Sequence, residues 1–349
     1  MTVRRSIRTR LALTAATAAG VVAATVAGAA QALPPHVVDP ATLARGANPS
    51  VPYMVRNTIH DGDLTVRSYA AGRPLDLWST ARGYVVRTWY QRQREFVIAF
   101  VDQAGTGLIG SSRGDAGVAV SPDGRRMAWG KGTNELRTPT VVRVTNPNTG
   151  RVLARHSFPW ATVLAVTEHR VLLTRLSART PKTTWWWNYE TDTLRKLSDR
   201  GALRADVSHD RVVFESGPPD SFCNRVAPLS HPRRTLWRSC ALAPHDWSPS
   251  GRRVLATFTY FDDAGTARWV TFADPSTKRL GRIDGRFGWD GVFEDDTHFL
   301  VVAENAKGQA AIVRCTLAAR CERASRIWEM GPVDYQPNYV APPVVLPNN

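Results

Sequence analysis

The feature that most constrains this chain is a turn that recurs six times, at steps of 42, 46, 41, 40 and 46 residues. The turns begin at Ser79, Ser121, Thr167, Ser208, Ser248 and Glu294, and each is preceded by a large apolar residue: Trp78, Val120, Val166, Val207, Trp247 and Phe293. A short apolar strand follows every turn, as in YVV at 84–86, MAW at 127–129 or VVF at 212–214. Arg126, Arg170, Arg211 and Arg253 stand directly before four of these strands. Each unit then supplies a third strand, a polar turn such as NPNTG at 146–150, and a shorter fourth strand. Short strands at even spacing with no helical periodicity between them define an all-β chain. A period near forty with four strands per unit is that of β-propeller blades, which bury their faces only against neighbours in a ring. The six repeats cover 76–328, and a further hairpin at 51–70 needs a place in the ring, so seven blades are favoured over six.

Two units spell the turn most fully: Ser121-Pro122-Asp123-Gly124 and Ser248-Pro249-Ser250-Gly251, each followed by two arginines and an apolar strand. In these residues the chain resembles the TolB-like and WD40-like propeller repeats of bacterial secreted proteins. The resemblance implies a propeller that binds proteins or envelope ligands, and it supplies no catalytic residues. The Gly-His and Trp-Asp signatures of eukaryotic WD40 blades are absent.

The first ten residues carry four arginines and no acid, an apolar stretch rich in alanine follows, and Ala30-Gln31-Ala32 offers a cleavage site. That order reads as a signal peptide over 1–32, with no transmembrane segment after its removal. Domain boundaries follow: an extended tail at 33–50, the propeller at 51–330, and a proline-rich tail at 331–349. Of 45 basic residues four lie in the signal, leaving 41 against 30 acids in the remaining chain. A basic secreted or cell-envelope protein favours an anionic envelope polymer or a protein as partner. No nucleic-acid motif is present, and a monomer is expected.

No catalytic residue, metal site or cofactor is expected. Gly110-Ser111-Ser112-Arg113-Gly114 matches a nucleophile elbow, but that elbow needs a helix after it and here a strand follows. Trp185-Trp186-Trp187 reads as core before it reads as a sugar platform. Two residues before the turn, Asp206 and Asp246 occupy equivalent positions in adjacent units, and they are the ligand-binding candidates. Turn capping is the alternative role for both. The expected function is a non-catalytic binding scaffold. Its rival is a secreted polysaccharide hydrolase or lyase, which would need two carboxylates flanking one bond at the channel mouth.

The four cysteines form an even set in a chain with a secretory leader, so disulfides are expected. Cys223 and Cys240 fall in one blade, and Cys315 and Cys321 in another that is not adjacent to it. Local pairing, 223 with 240 and 315 with 321, is therefore expected.

Overall fold

The computed structural model describes residues 36–133, 138–177, 180–217, 223–258, 266–271, 280–284, 286–329 and 344–348; the signal segment lies outside them. The chain divides into units 1–32 and 33–349, and everything below concerns the second. Described strands account for a β-propeller in which six four-stranded blades are continuous in the chain: 73–112, 118–158, 161–198, 202–239, 242–284 and 286–323. These are blades 1 to 6. Within each, neighbouring strands are antiparallel and follow chain order.

A seventh sheet is composite. The 51–70 hairpin contributes Tyr53–Val55, Thr58–Asp61 and Leu64–Arg67, and Val344–Val345 from the far end of the chain pairs antiparallel with Tyr53–Val55. The segment 331–349, read as a tail, thus supplies a strand. It is held further by the Asn348 N–H, which donates to the Leu77 carbonyl at 2.7 Å, and by the Asn348 side-chain amide, which donates to Asp76 at 2.8 Å.

Seven buried clusters join these sheets face to face. Trp78, Val85 and Ile98 of blade 1 meet Met127 and Trp129 of blade 2. Val142, Val144 and Phe158 of blade 2 meet Leu173 and Trp187 of blade 3. Leu172 and Trp186 meet Phe214 and Ala227 of blade 4, and Val213 and Trp237 meet Trp247 and Val254 of blade 5. Leu255 of blade 5 meets Phe293 and Phe299 of blade 6. The composite sheet closes the sequence of contacts, with Val55 and Val344 against Ile312 of blade 6 and Met54 and Val345 against Val86 of blade 1.

The recurring turn has a physical explanation. Ser121 is 4% exposed and works on both sides of its turn: its N–H donates to the Arg126 carbonyl at 2.8 Å, and its hydroxyl accepts the Arg126 N–H at 2.9 Å. Ser248 repeats both bonds with Arg253, at 3.0 and 3.2 Å. Gly124 and Gly251 each sit at φ 65°, in the left-handed region that glycine enters without cost. A Cβ at Gly124 would lie 2.5 Å from the Ala81 nitrogen, and one at Gly251 would lie 2.5 Å from the His209 ring. Those contacts belong to the preceding blade. Ala81 N–H donates to the Gly124 carbonyl at 3.2 Å, and Ser250 hydroxyl and N–H both donate to Asp296 of the following turn, at 2.5 and 3.0 Å. The motif latches one blade's turn onto the next.

Residues 36–50, also read as a tail, pack against the last two blades. His36–Val37 add a parallel strand to blade 5, and Val38 is 3% exposed in the blade 5–blade 6 cluster. Glu294 and Arg314 anchor the end of this segment. The Glu294 carboxylate bonds Arg314 Nη2 at 2.8 Å and accepts the Ser50 N–H at 2.6 Å, while Arg314 also donates to the Asn48 carbonyl at 2.9 Å. Burial alone would raise the Glu294 carboxyl, but the bonds from Arg314 and Ser50 outweigh it and hold the group below its ordinary value.

The two expected disulfides, Cys223–Cys240 and Cys315–Cys321, are both present. The first joins the third strand of blade 4 to its outer edge, and the second closes the outer hairpin of blade 6.

Two outcomes follow from this closure. Val344, Val345 and Leu346 are at most 4% exposed, and full burial of such a side chain is worth about 1.5–3 kcal/mol. Deleting residues 344–349 is expected to cost about 5 kcal/mol in denaturant unfolding, whereas an unchanged midpoint would mean the strand seals nothing. A carboxyl held low in the fold stabilises above its unfolded pKa, about 4.3, and that contribution is lost as pH falls below it. Acid titration of stability should therefore steepen below about pH 4, and Glu294→Gln should flatten that loss while costing about 1–3 kcal/mol at neutral pH, because Arg314 keeps Glu322 as its remaining carboxylate partner.

Candidate functional site

The two carboxylates singled out by the repeat are each engaged within the ring. Asp206 accepts the N–H groups of Ser208 and His209 at 2.9 and 3.2 Å and meets His209 Nδ1 at 2.5 Å. The other ring nitrogen of His209 donates to the Pro249 carbonyl at 2.7 Å, so Asp206 caps its own turn and, through His209, ties blade 4 to blade 5. Asp246 is 8% exposed and accepts the Phe293 N–H of blade 6 at 2.7 Å. Equivalent positions thus carry two different bonds, one local and one between blades.

A feature that the sequence did not reveal is the irregularity of the first strands. Pairing with the second strand shifts at Leu75, Leu164, Leu203 and His245, one in each of four blades. Such bulges re-aim side chains and increase local twist.

The more persuasive concentration of unspent chemistry lies at the side of the ring. A groove of about 270 Å³ separates blades 3 and 4 and is lined by Arg170, Trp186, Arg195, Leu197, Leu229 and Ser230. Trp186, from the triple-tryptophan strand Thr180–Asn188, is buried against Leu172 and Phe214, and the Arg170 guanidinium lies 4.9 Å above its ring. Trp187 is buried in the blade 2–blade 3 core, and Trp185 carries Arg175 at 4.9 Å. Core packing accounts for two of the three rings, as the sequence implied, while Trp186 also forms the groove's wall.

Carboxylates around the groove are already committed. Asp210 accepts the N–H and hydroxyl of Ser230 at 2.7 and 2.5 Å. Glu168 and Glu190 pair with His169, and Asp199 pairs with Lys196. Among the described residues no carboxylate pairs with Arg170 or Arg195. Both are exposed; Arg170 opens the second strand of blade 3, and Arg195 lies on its outer strand, where blades 2 to 4 carry exposed basic residues on or just before the outer strands: Arg151 and Arg155, Arg195 and Lys196, and Arg233, Arg234 and Arg238. Two exposed guanidinium forks suit a carboxylate or phosphate group, since they bond oxyanions bidentately.

A comparison with known protein families and with curated proteins finds no match. Several solved structures share the fold. A functionally unknown protein from Desulfotomaculum acetoxidans superposes with TM-score 0.52 at 10% identity, over 86% of this chain and 100% of that one. The β-propeller domain of the Trilobed protease from Pyrococcus furiosus gives 0.48 at 13%, over 72% and 83%. TolB from Acinetobacter baumannii gives 0.47 at 12%, over 81% and 68%. At these identities the likeness is one of fold alone.

The bonds made by Asp246 give a direct expectation. Asp246→Ala strands the buried Phe293 N–H and should cost about 1–3 kcal/mol in chemical denaturation. A variant of wild-type stability would free Asp246 for a role outside the ring's own bonding.

Proposed function

We propose that this protein is a secreted or cell-envelope scaffold, monomeric and non-catalytic, that binds an anionic polymer of the envelope along the side of its ring. The observation that carries this reading is the groove between blades 3 and 4, where Arg170 and Arg195 flank Trp186 and where Arg195 stands among the exposed basic residues of the outer strands. The composite sheet acts as the seventh blade of that ring. The leader expected from the sequence at 1–32 and the two disulfides support an oxidising location outside the cytoplasm. Among the described residues no helix is long and apolar enough to cross a membrane. The rival hydrolase or lyase would use Asp206 and Asp246, whose carboxylates are engaged in capping and inter-blade bonds. A ligand at the channel through these two residues is the weaker reading for the same reason.

Polygalacturonate, a poly(glycerol phosphate) and neutral dextran are the probes that test the proposal. The two polyanions should bind and dextran should not, with affinity falling as salt rises from about 50 to about 300 mM and screens the exposed arginines. Arg170→Ala with Arg195→Ala should weaken polyanion binding by about tenfold, roughly 1.4 kcal/mol, and leave the unfolding midpoint nearly unchanged. Equal binding of dextran, or an unaffected double variant, would contradict it.

A further inference from the structure

The outer strands of the blades manage their free edges in two ways, and one strand uses neither. An edge strand offers a row of unpaired N–H and C=O groups, which proteins guard with charge, proline or a covering segment. The edges of blades 2, 3 and 4 carry Arg155, Arg195 with Lys196, and Arg238, and the composite sheet's edge carries Arg67. The edges of blades 5 and 6 meet the chain's own N-terminal segment. His36–Val37 pair with Leu280–Asp284, and around Arg323 the N–H of Gly46 donates to the Arg323 carbonyl while the Arg323 N–H donates to that of Ala44, both at 2.8 Å. Blade 1 ends on Gly105–Ser112, GTGLIGSS, eight residues without a charge or a proline. It pairs with Glu95–Asp102 on one side, and among the described residues no strand pairs with the other.

This strand also exposes what an edge ordinarily hides. Leu108 is 72% exposed and Tyr69, beside it, is 68% exposed. The Tyr69 N–H donates to the Thr106 hydroxyl at 2.9 Å, which holds the tyrosine at the strand. A cavity of about 360 Å³ opens between them, floored by Val97 and Ala99, walled by Tyr69, Tyr90 and Leu108, and carrying Glu95 as its one charged group. The glycine at 107 is not demanded by packing: a Cβ there would meet nothing within 4 Å, and its φ lies outside the left-handed region. What glycine provides at that position is open backbone.

We propose that Gly105–Ser112 is a docking edge for an extended peptide segment of a partner protein, which adds as a fifth strand and seats one large apolar side chain in the Tyr69–Tyr90–Leu108 cavity. Backbone bonds along the strand supply affinity, and the pocket for an alternate side chain supplies selectivity. The volume accommodates a phenylalanine or leucine side chain, and the Glu95 carboxylate selects a segment that is basic rather than acidic beside that residue. The edge of blade 5 already accepts such an addition from this chain's own residues 36–37.

A synthetic peptide of alternating threonine and valine, with a central phenylalanine and lysines at its ends, is the probe. It should protect the amides of residues 105–111 from hydrogen exchange. Replacing its lysines with glutamates, or N-methylating alternate peptide nitrogens, should weaken binding by about tenfold or more. Gly107→Lys and Leu108→Lys place a charge on exposed positions, so both variants should melt like the parent and lose the peptide. Three results would overturn the proposal: no protection at 105–111, equal binding of the N-methylated peptide, or undiminished binding by both lysine variants. A dimer in sedimentation with those amides protected before any peptide is added would also overturn it, by assigning the edge to a second copy of this chain.

Discussion

Every blade in this protein is apolar on both faces, so none can leave either face to water. Buried side chains such as Trp129, Phe214, Leu255 and Val301 are covered only because the next sheet stands against them. An open row of such sheets would end in two uncovered faces, each exposing several large side chains at about 1.5–3 kcal/mol apiece. The ring therefore depends on its closure. That closure is not a continuous blade but a sheet assembled from the two ends of the chain, with two residues from the far end supplying its fourth strand. Asn348 and the Leu77–Pro347 bridge fasten this strand to blade 1, and Leu346 fills the interface with blade 6.

Much of the architecture was legible because its determinants are local. Of the six apolar residues before the turns, Trp78, Val166, Trp247 and Phe293 are buried, and Val120 and Val207 are half-buried against the neighbouring clusters. The serine-proline turn announced itself because the turns at Ser121 and Ser248 share one geometry, with two bonds to the serine and a glycine at positive φ packed against the preceding blade. The disulfide pairing followed from the same register. What escaped the reading was non-local. APPVVLPNN looks like a tail by composition, and nothing in it names Tyr53–Val55 as its partner. Residues 36–50 are likewise held by a buried ion pair between Glu294 and Arg314 that lies more than 240 positions away in sequence.

The candidate site was less legible, for a related reason. Asp206 and Asp246 stood out as a repeated carboxylate, yet repetition in a propeller reports shared backbone geometry, and the structure gives the two groups structural bonds. Arg170 was visible in the repeat as the residue before a strand, and Trp186 as part of an aromatic run, but their meeting depends on cross-strand pairing within blade 3. Arg195 belongs to a variable outer strand, where no repeat signal exists. The uncharged edge of blade 1 was likewise unremarkable in isolation. It becomes informative only when the other outer strands are seen to be charged or covered.

Native-state hydrogen exchange tests the closure most directly. If the composite sheet seals the ring, the amides of Tyr53–Val55 and Val344–Val345 should exchange only with the global unfolding that also releases Tyr84–Tyr90 of blade 1, and their opening free energies should coincide. Exchange of those amides through a separate, lower-energy opening, while blades 1 to 6 remain protected, would show that the ring stands without its seal and would contradict the account.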